Sequence, residues 1–152
     1  MRTKGAILWG VGQEWSIEEI EIGDPRANEV TVELAASGLC HSDEHLVTGG
    51  TPVASYPVLG GHEGAGVVTA VGPGVTGLAV GDHVVTAFIP ACGQCPPCSN
   101  GHQNLCDLGA SLLAGTSISD GSYRVQAKGQ DVVRCACSAP SPPTSPCTRR
   151  RW

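Results

Sequence analysis

The sequence predicts a mainly β domain whose strands form a closed or partly open barrel, together with a small cysteine-rich lobe that binds metal. Short runs of apolar and β-branched residues are separated by turn-forming residues along a chain of 152 residues that includes 21 glycines and 11 prolines. This pattern is typical of barrels and sandwiches. Only two short segments have helical character. Four of the eight cysteines lie between residues 92 and 106.

The apolar runs predict five strands. Residues 29–35 alternate polar and apolar side chains with the period of two that a half-buried strand requires. The segment Gly23-Asp24-Pro25, which follows the second run, is rich in turn formers. The expected strands cover residues 6–9, 16–22, 29–35, 64–72 and 82–88.

Two short helices are expected between these strands. One covers residues 42–47, where the Ser42 hydroxyl or the Asp43 carboxylate would cap the first turn. The other is a helical turn around residues 100–105. Because both segments are short, the strands are expected to dominate the fold.

Length and charge limit the class of protein. A chain of 152 residues is long enough for one ordinary domain and too short for two. No apolar run approaches the roughly 18 residues of a membrane span. The run at residues 6–9 is too short for a secretory signal, so we expect a cytoplasmic protein with no membrane partner. Residues 1–133 carry five basic and 14 acidic side chains, a net charge of −9 that would repel nucleic acid.

The composition changes near residue 133. Residues 134–152 contain four arginines, four prolines, three cysteines and no acidic residue. In the adjacent reading frame, a GC-rich coding sequence for residues 134–140 would encode an apolar strand that continues residues 130–133. Our hypothesis is that residues 134–152 are a frameshifted tail that ends at an early stop. The alternative is a native disordered tail rich in proline, serine and arginine.

The strongest motif is a run of cysteines with the spacing of a metal site. Cys92, Cys95 and Cys98 follow one another at Cys-x-x-Cys steps, and Cys106 comes after seven further residues. Four thiolates close a tetrahedral shell around zinc and leave no position for substrate, which predicts a structural site. The absence of a secretory signal disfavours two disulfides. A thioredoxin-type redox motif would have two cysteines at a helix start, not three spaced evenly on a loop.

A second group of candidate ligands comprises Cys40 and His62. Alone, each residue has a simpler interpretation, because a lone cysteine is usually a small apolar residue and a histidine between glycines is usually a loop residue. Together they are two of the three protein ligands of an open catalytic zinc, whose fourth position holds water or substrate. The hydroxyl and carboxylate side chains nearby in sequence favour this second interpretation.

Three motifs in order resemble the zinc-containing alcohol dehydrogenases of the medium-chain dehydrogenase/reductase family. The pattern Gly61-His62-Glu63-x-x-Gly66-x5-Gly72-x-x-Val75 is similar to the family signature. Its glycines are expected to serve tight turns and close backbone approach. The loop Cys40-His41-Ser42-Asp43 resembles the family's first zinc-ligand loop, and the cysteine spacing resembles its structural-zinc lobe. The resemblance covers about residues 4–133. Residues 113–115 and 120–124 resemble the actinobacterial branch that depends on nitrosodimethylaniline as electron acceptor.

The resemblance implies a GroES-like, partly open β-barrel over residues 1–133, with the zinc lobe at about residues 91–107. The implied enzyme oxidises a small alcohol to an aldehyde or ketone and transfers the hydride to NAD(P). Full-length relatives would be homo-oligomers. Glu63 would lie near the catalytic metal as a transient ligand. The implied structural-zinc ligands are Cys92, Cys95, Cys98 and Cys106.

The resemblance also implies roles for the residues around Cys40. Cys40 and His62 would bind the catalytic zinc, and Asp43 would accept a hydrogen bond from the zinc-bound imidazole. Ser42 would take the alcohol proton once zinc has made the alcohol more acidic. His45 would then pass that proton toward solvent.

Two parts of the family pattern have no counterpart in the sequence. The resemblance implies a dinucleotide-binding domain after about residue 150, but the sequence has no Gly-x-Gly-x-x-Gly string in the context of a dinucleotide-binding motif. The string at residues 72–77 does not qualify, because Pro73 and Gly77 fit turns and no helix is expected after it. The third cysteine ligand has no match either, because Cys135, Cys137 and Cys147 stand outside the expected context. We therefore expect a fragment that binds zinc and lacks dehydrogenase activity. The alternative is a noncatalytic zinc-binding scaffold built around the four-cysteine lobe.

Overall fold

The computed structural model describes residues 1–134, and within them strands predominate over helices, which confirms the mainly β fold class. The strands are β1 (Arg2–Leu8), β2 (Ser16–Ile22), β3 (Val30–Ser37), β4 (Val58–Leu59), β5 (Gly64–Val71), β6 (His83–Val85), β7 (Val125–Ala127) and β8 (Gln130–Arg134). The helices are α1 (His41–Val47) and α2 (Pro96–Ser99), with 3-10 helices at Gln103–Leu105 and Asp107–Ala114. No helix in residues 1–134 has the length and apolar character needed to cross a membrane. The frameshift hypothesis concerns a tail that, from residue 135 onward, lies outside the described residues.

Five of these strands form a closed barrel in the order β1, β2, β7, β8, β4. Neighbouring strands pair antiparallel except β4 and β8, which pair in parallel. The parallel pair places Val58 opposite Val133 and Leu59 opposite Arg134, and this contact closes the ring. The barrel therefore joins the middle of the chain to its last described strand.

Two apolar clusters form on the two faces of the barrel strands. Successive side chains of a strand point to opposite faces, so Ile7 and its neighbour Leu8 belong to different clusters. Leu8 packs with Leu46 of α1, and both are fully buried. At roughly 1.5–3 kcal/mol for each buried aliphatic side chain, this cluster fixes α1, and with it the Cys40 loop, against the barrel. This cluster, which contains Leu8 and not Ile7, consists of Leu8, Leu46, Val58 and Val133.

The remaining strands form a three-stranded antiparallel sheet in the order β3, β5, β6. The register of β3 against β5 shifts between Leu34 and Ala36. At this irregularity a Cβ on Gly66 would overlap the Glu33 carbonyl oxygen. The signature glycine at this position therefore serves close backbone approach, as the sequence predicts.

The replacement of Gly66 by alanine is expected to lower the free energy of unfolding by about 3 kcal/mol, because the backbone atoms of Glu33 cannot rotate away from the new methyl group. Urea denaturation measures this change. Gly109→Ala is the matched control, since a Cβ there would lie 3.5 Å from Ile89 Cγ2, an ordinary contact. Its effect is expected to stay within about 0.5 kcal/mol. Equal losses of unfolding free energy in the Gly66 and Gly109 variants would contradict the steric explanation.

A buried ion pair joins the start of β3 to the loop before β7. Arg124 donates from Nε to Glu29 Oε2 at 2.8 Å and from Nη2 to Glu29 Oε1 at 2.9 Å. The two side chains are 7% and 17% exposed. Arg124 Nη2 also lies 2.9 Å from Asp120 Oδ2. Burial alone would raise the pKa of Glu29, but hydrogen bonds from Arg124, Ser117 and Ser119 outweigh it and lower that pKa to about 2.

Two candidate metal centres

Four cysteine thiols converge around α2. Cys95 immediately precedes this helix, which opens with two prolines. Proline suits a first helical turn because its φ is already helical and it has no N–H to leave unpaired. The turn brings Cys98 back toward Cys92, and Cys106 lies between the two 3-10 helices. All four Sγ atoms lie within 4.8 Å of one another.

The electrostatics of this cluster favour a bound cation. The N–H of Cys95 donates to Cys92 Sγ at 3.3 Å, and the N–H of Cys92 donates to Cys106 Sγ at 3.4 Å. Backbone N–H groups of Gln94 and Cys95 lower the pKa of Cys92 to about 6, whereas burial raises the pKa of Cys98 to about 12. Four thiolates at this spacing would repel one another, and a divalent cation bound among them would offset their charge.

The cysteines of residues 1–134 all have free thiols. The disulfide alternative is therefore not realised in the described part of the chain. Cys98 and Cys106 are 5% and 4% exposed, so a metal held by the four sulfurs would be largely shielded from solvent. Such a closed site stabilises a fold and offers no position to a substrate.

A second group brings together Cys40, His62 and Glu63. Cys40 is in an extended conformation immediately before α1, and the other two residues immediately precede β5. One potential ligand atom from each residue lies within 4.8 Å of the others. The N–H of Gly38 donates to the Glu63 carbonyl oxygen at 2.8 Å. A Cβ at Gly38 would overlap Glu63 Oε2, so this glycine lets the carboxylate lie close to the backbone.

The Ser42 hydroxyl lies between two of these ligands. Its Oγ is 3.1 Å from Cys40 Sγ and 3.3 Å from His62 Nε2. The prediction that Ser42 or Asp43 caps α1 is wrong, because the helix has no side-chain cap and its N-cap residue is Cys40. The Asp43 carboxylate instead accepts a hydrogen bond from the Gly61 N–H at 3.3 Å. Both side chains thus face the candidate metal ligands rather than the free N–H groups of the helix.

The two ring nitrogens of His62 have different surroundings. Nε2 faces the Ser42 hydroxyl, whereas Nδ1 lies 3.6 Å from Asp43 Oδ1. The His62 side chain is 6% exposed, and its Nδ1 is buried without a hydrogen-bond partner among residues 1–134. A small shift of the ring would complete a hydrogen bond to Asp43. This is the arrangement in which a carboxylate orients a metal-bound histidine.

Two residues that sequence reasoning did not select support His62. Thr86 Oγ1 accepts the Gly64 N–H at 2.8 Å and donates to the His62 carbonyl oxygen at 3.1 Å. The Phe88 ring meets the imidazole edge to face, with ring centroids 5.0 Å apart. Both lie just after β6, in the run that the sequence assigns to a longer strand. In the sequence, the support of His62 was indicated only weakly, by a hydroxyl side chain and an aromatic ring near the end of a predicted strand.

His45 lies apart from this group. Its ring packs edge to face against His41, with the centroids 5.2 Å apart, and both residues are exposed. Within residues 1–134, no hydrogen bond joins His45 to Ser42. The structure therefore brings together five of the residues selected around the catalytic site and leaves His45 at the surface. The five are Cys40, Ser42, Asp43, His62 and Glu63.

The β-barrel domain carries two clusters that could each hold a metal ion, one of four thiols and a separate one of cysteine, histidine and glutamate side chains. Residues 26–139 match the family described as the alcohol dehydrogenase GroES-like domain. The chain belongs to this family. The predicted resemblance to zinc-containing alcohol dehydrogenases is thereby confirmed at the level of the domain.

Individual relatives agree with this assignment. The chain is 65% identical over 132 residues to alcohol dehydrogenase B of Mycobacterium tuberculosis (strain ATCC 25618 / H37Rv), covering 87% of this chain and 35% of the relative. It is 50% identical over 131 residues to the NDMA-dependent alcohol dehydrogenase of Amycolatopsis methanolica, covering 86% and 35%. A crystal structure of an alcohol dehydrogenase zinc-binding domain protein from Burkholderia ambifaria superposes with a TM-score of 0.81 at 38% identity, covering 90% of this chain and 36% of that one. The chain spans about a third of the length of the curated relatives that it matches.

Proposed function

We propose that residues 1–133 form the zinc-binding catalytic domain of an alcohol dehydrogenase that oxidises a small alcohol to an aldehyde or ketone, with NAD(P) as the hydride acceptor. The convergence of Cys40, His62 and Glu63 within 4.8 Å carries the proposal. Relatives named alcohol dehydrogenase support the reaction class. The Gly-x-Gly-x-x-Gly string at residues 72–77 is followed by turns and β6 instead of a helix, so it lacks the context of a dinucleotide-binding motif, and we propose that residues 1–152 bind zinc without turning over alcohol.

The four-thiol cluster fits a structural zinc. Zinc in such sites takes four thiolates in a tetrahedron, and the free Sγ atoms already lie within 4.8 Å of one another. A reducing cytoplasm, which we propose as the location, keeps such thiols available for metal. The residues that would hold this zinc are Cys92, Cys95, Cys98 and Cys106.

The second cluster fits a catalytic zinc. It offers a thiolate, an imidazole and a carboxylate, all of which zinc accepts as ligands. The buried Nδ1 of His62 supports this fit, because a metal on Nε2 would direct the Nδ1 proton toward Asp43 Oδ1, 3.6 Å away. When bound there, zinc would act as a Lewis acid that makes an alcohol hydroxyl more acidic.

The proton steps would be carried out by side chains of this chain. Ser42 Oγ lies 3.1 Å from Cys40 Sγ and would receive the alcohol proton. The exposed His45 would release that proton to solvent. Because no hydrogen bond joins Ser42 to His45 within residues 1–134, a water molecule would have to link them. Asp43 would hold the His62 ring in place.

Zinc counting tests this proposal. The 152-residue chain is expected to hold two zinc ions, one firmly and one weakly. Cys95→Ser should remove the firm ion, because it breaks the four-thiolate shell. Cys40→Ser should remove only the weak ion, and it keeps the size of the side chain. Metal analysis after dialysis against increasing chelator concentrations separates the two sites.

Two outcomes would count against the proposal. A single firm zinc that is lost in Cys95→Ser and unchanged in Cys40→Ser would support a noncatalytic zinc scaffold instead. Alcohol-dependent reduction of NAD(P)+ or of a nitroso dye by the 152-residue chain would overturn the inference that it lacks turnover. Neither outcome requires knowledge of the natural substrate.

A further inference from the structure

The exposed face of α1 carries two histidines at helical spacing. His41 and His45 are four residues apart, and side chains at this spacing lie one above the other on the same face of a helix. Their rings are in contact, with centroids 5.2 Å apart and planes at 77°. Neither residue belongs to the Cys40, His62 and Glu63 group. The two imidazoles are therefore a separate cluster.

The backbone beneath this pair is held in place. The buried Leu46 anchors α1 to the barrel. The Thr51 N–H donates to the His45 carbonyl oxygen at 3.0 Å, which ties the end of the helix to the following turn. Gly50 lies against the His45 ring, since a Cβ there would be 3.4 Å from Nδ1. The two rings can rotate about their side-chain torsions while their Cα atoms remain fixed.

Two imidazoles four residues apart on a helix are a known way of holding a transition metal, as in metal-binding helices with His-x-x-x-His spacing. Imidazole nitrogen suits zinc, copper and nickel, and affinity for a given site rises from nickel to copper. The surroundings also favour a cation, because the exposed Glu44 lies on the same helix. Residues 1–133 as a whole carry a net charge of −9.

We propose that His41 and His45 form a third metal site, which binds a divalent transition metal from solution through two imidazole nitrogens and completes its coordination with water. This binding does not depend on the proposed dehydrogenase activity. An ion held there would occupy the His45 ring and prevent it from carrying protons. The bound ion would lie at a place distinct from the four-thiol cluster and from Cys40.

Nickel binding to the full 152-residue chain tests the site, because Ni²⁺ does not oxidise thiols under these conditions. The chain is first loaded with zinc and freed of excess metal, and Ni²⁺ is then titrated by isothermal calorimetry. His41→Gln and His45→Gln are each expected to weaken one nickel site about tenfold or more, because the second ligand of a chelate binds at high effective concentration. The double variant should bind nickel at this site little more weakly than either single variant does. Glutamine keeps the helix, since its helix propensity exceeds that of histidine.

Two controls identify the site. The variant His83→Gln/His102→Gln also removes two exposed histidines, but not a pair on one helix face, and should bind nickel as the unmodified chain does. Cys40→Ser should leave this nickel site unchanged. Sub-stoichiometric Ni²⁺ should broaden the ring resonances of His41 and His45 together in proton NMR spectra. Unchanged affinity in either single variant, or loss of the site in Cys40→Ser, would overturn the proposal.

Discussion

Replacement of Cys98 by serine is expected to release the firmly bound zinc and to unfold the four-cysteine lobe while the barrel remains folded. Cys98 is 5% exposed and supplies one of the four sulfurs. Zinc binding in small thiolate modules contributes on the order of 10–16 kcal/mol. In a module without an apolar core, this binding free energy is what stabilises the folded state. The sulfur ligands belong to neither of the two apolar clusters described for the barrel in residues 1–134, so we expect the lobe to depend on zinc more than the barrel does.

Hydrogen exchange provides the measurement. The N–H groups of Cys92 and Cys95 donate to sulfur atoms of the cluster, so their exchange should be slow in the zinc-loaded chain and fast in Cys98→Ser. Barrel amides such as that of Ile20, which pairs with Ala127, should keep their protection. Cys40→Ser is the matched control and should leave the lobe protected. A Cys98→Ser chain that retained firm zinc and slow exchange would show that the four thiols do not act as one site.

The second large effect is expected for Glu29→Gln, which should lower the free energy of unfolding by about 3 kcal/mol. The change leaves the Arg124 guanidinium, 7% exposed, without one of its two carboxylate partners. Glu21→Gln is the control, because the Arg2–Glu21 pair is 70% and 56% exposed and should contribute less than about 1 kcal/mol. Urea denaturation of both variants at neutral pH measures the difference. Similar losses of unfolding free energy in the two variants would contradict the inference that the buried ion pair stabilises the fold more than the exposed one.

The effect of Glu29 should depend on pH. Its pKa is about 2 in the folded chain, against an ordinary value of 4.5. The ionised carboxylate therefore stabilises the folded state fully above pH 4.5, and this contribution is lost as the pH falls from 4.5 toward 2. The stability difference between the unmodified chain and Glu29→Gln should shrink over this interval. A difference that stayed constant down to pH 2 would mean that the pKa of Glu29 is not lowered by folding.

The sequence predicted those elements that depend only on residues within one short segment. Strand β2 spans Ser16–Ile22, the range that was predicted from its strand-like run of residues. The four-cysteine lobe was likewise predicted, because the Cys-x-x-Cys steps and the turn between them lie in one short segment. In both cases the structure of the segment depends on residues that are close together in the sequence.

Elements that depend on distant partners were not predicted. Strand β4, Val58–Leu59, has only two residues and exists because β1 and β8 pair with it from either side. The Arg124–Glu29 ion pair joins residues far apart in sequence and has no motif. The strand expected over residues 82–88 covers only His83–Val85, and beyond it the Thr86 hydroxyl bonds the backbone around His62. Tertiary contacts decide each of these features.

The parallel contact between β4 and β8 determines an order of events during synthesis. Val133 is the last residue along the chain in the apolar cluster that holds Leu46 of α1, so we expect that helix to pack fully on the barrel only after residues near 133 have left the ribosome. Cys40 and Ser42 are then brought late to His62. The four-cysteine lobe needs only its own short segment and is complete once Cys106 has emerged. A nascent chain would therefore capture its first zinc at the lobe, before the open cluster has taken shape.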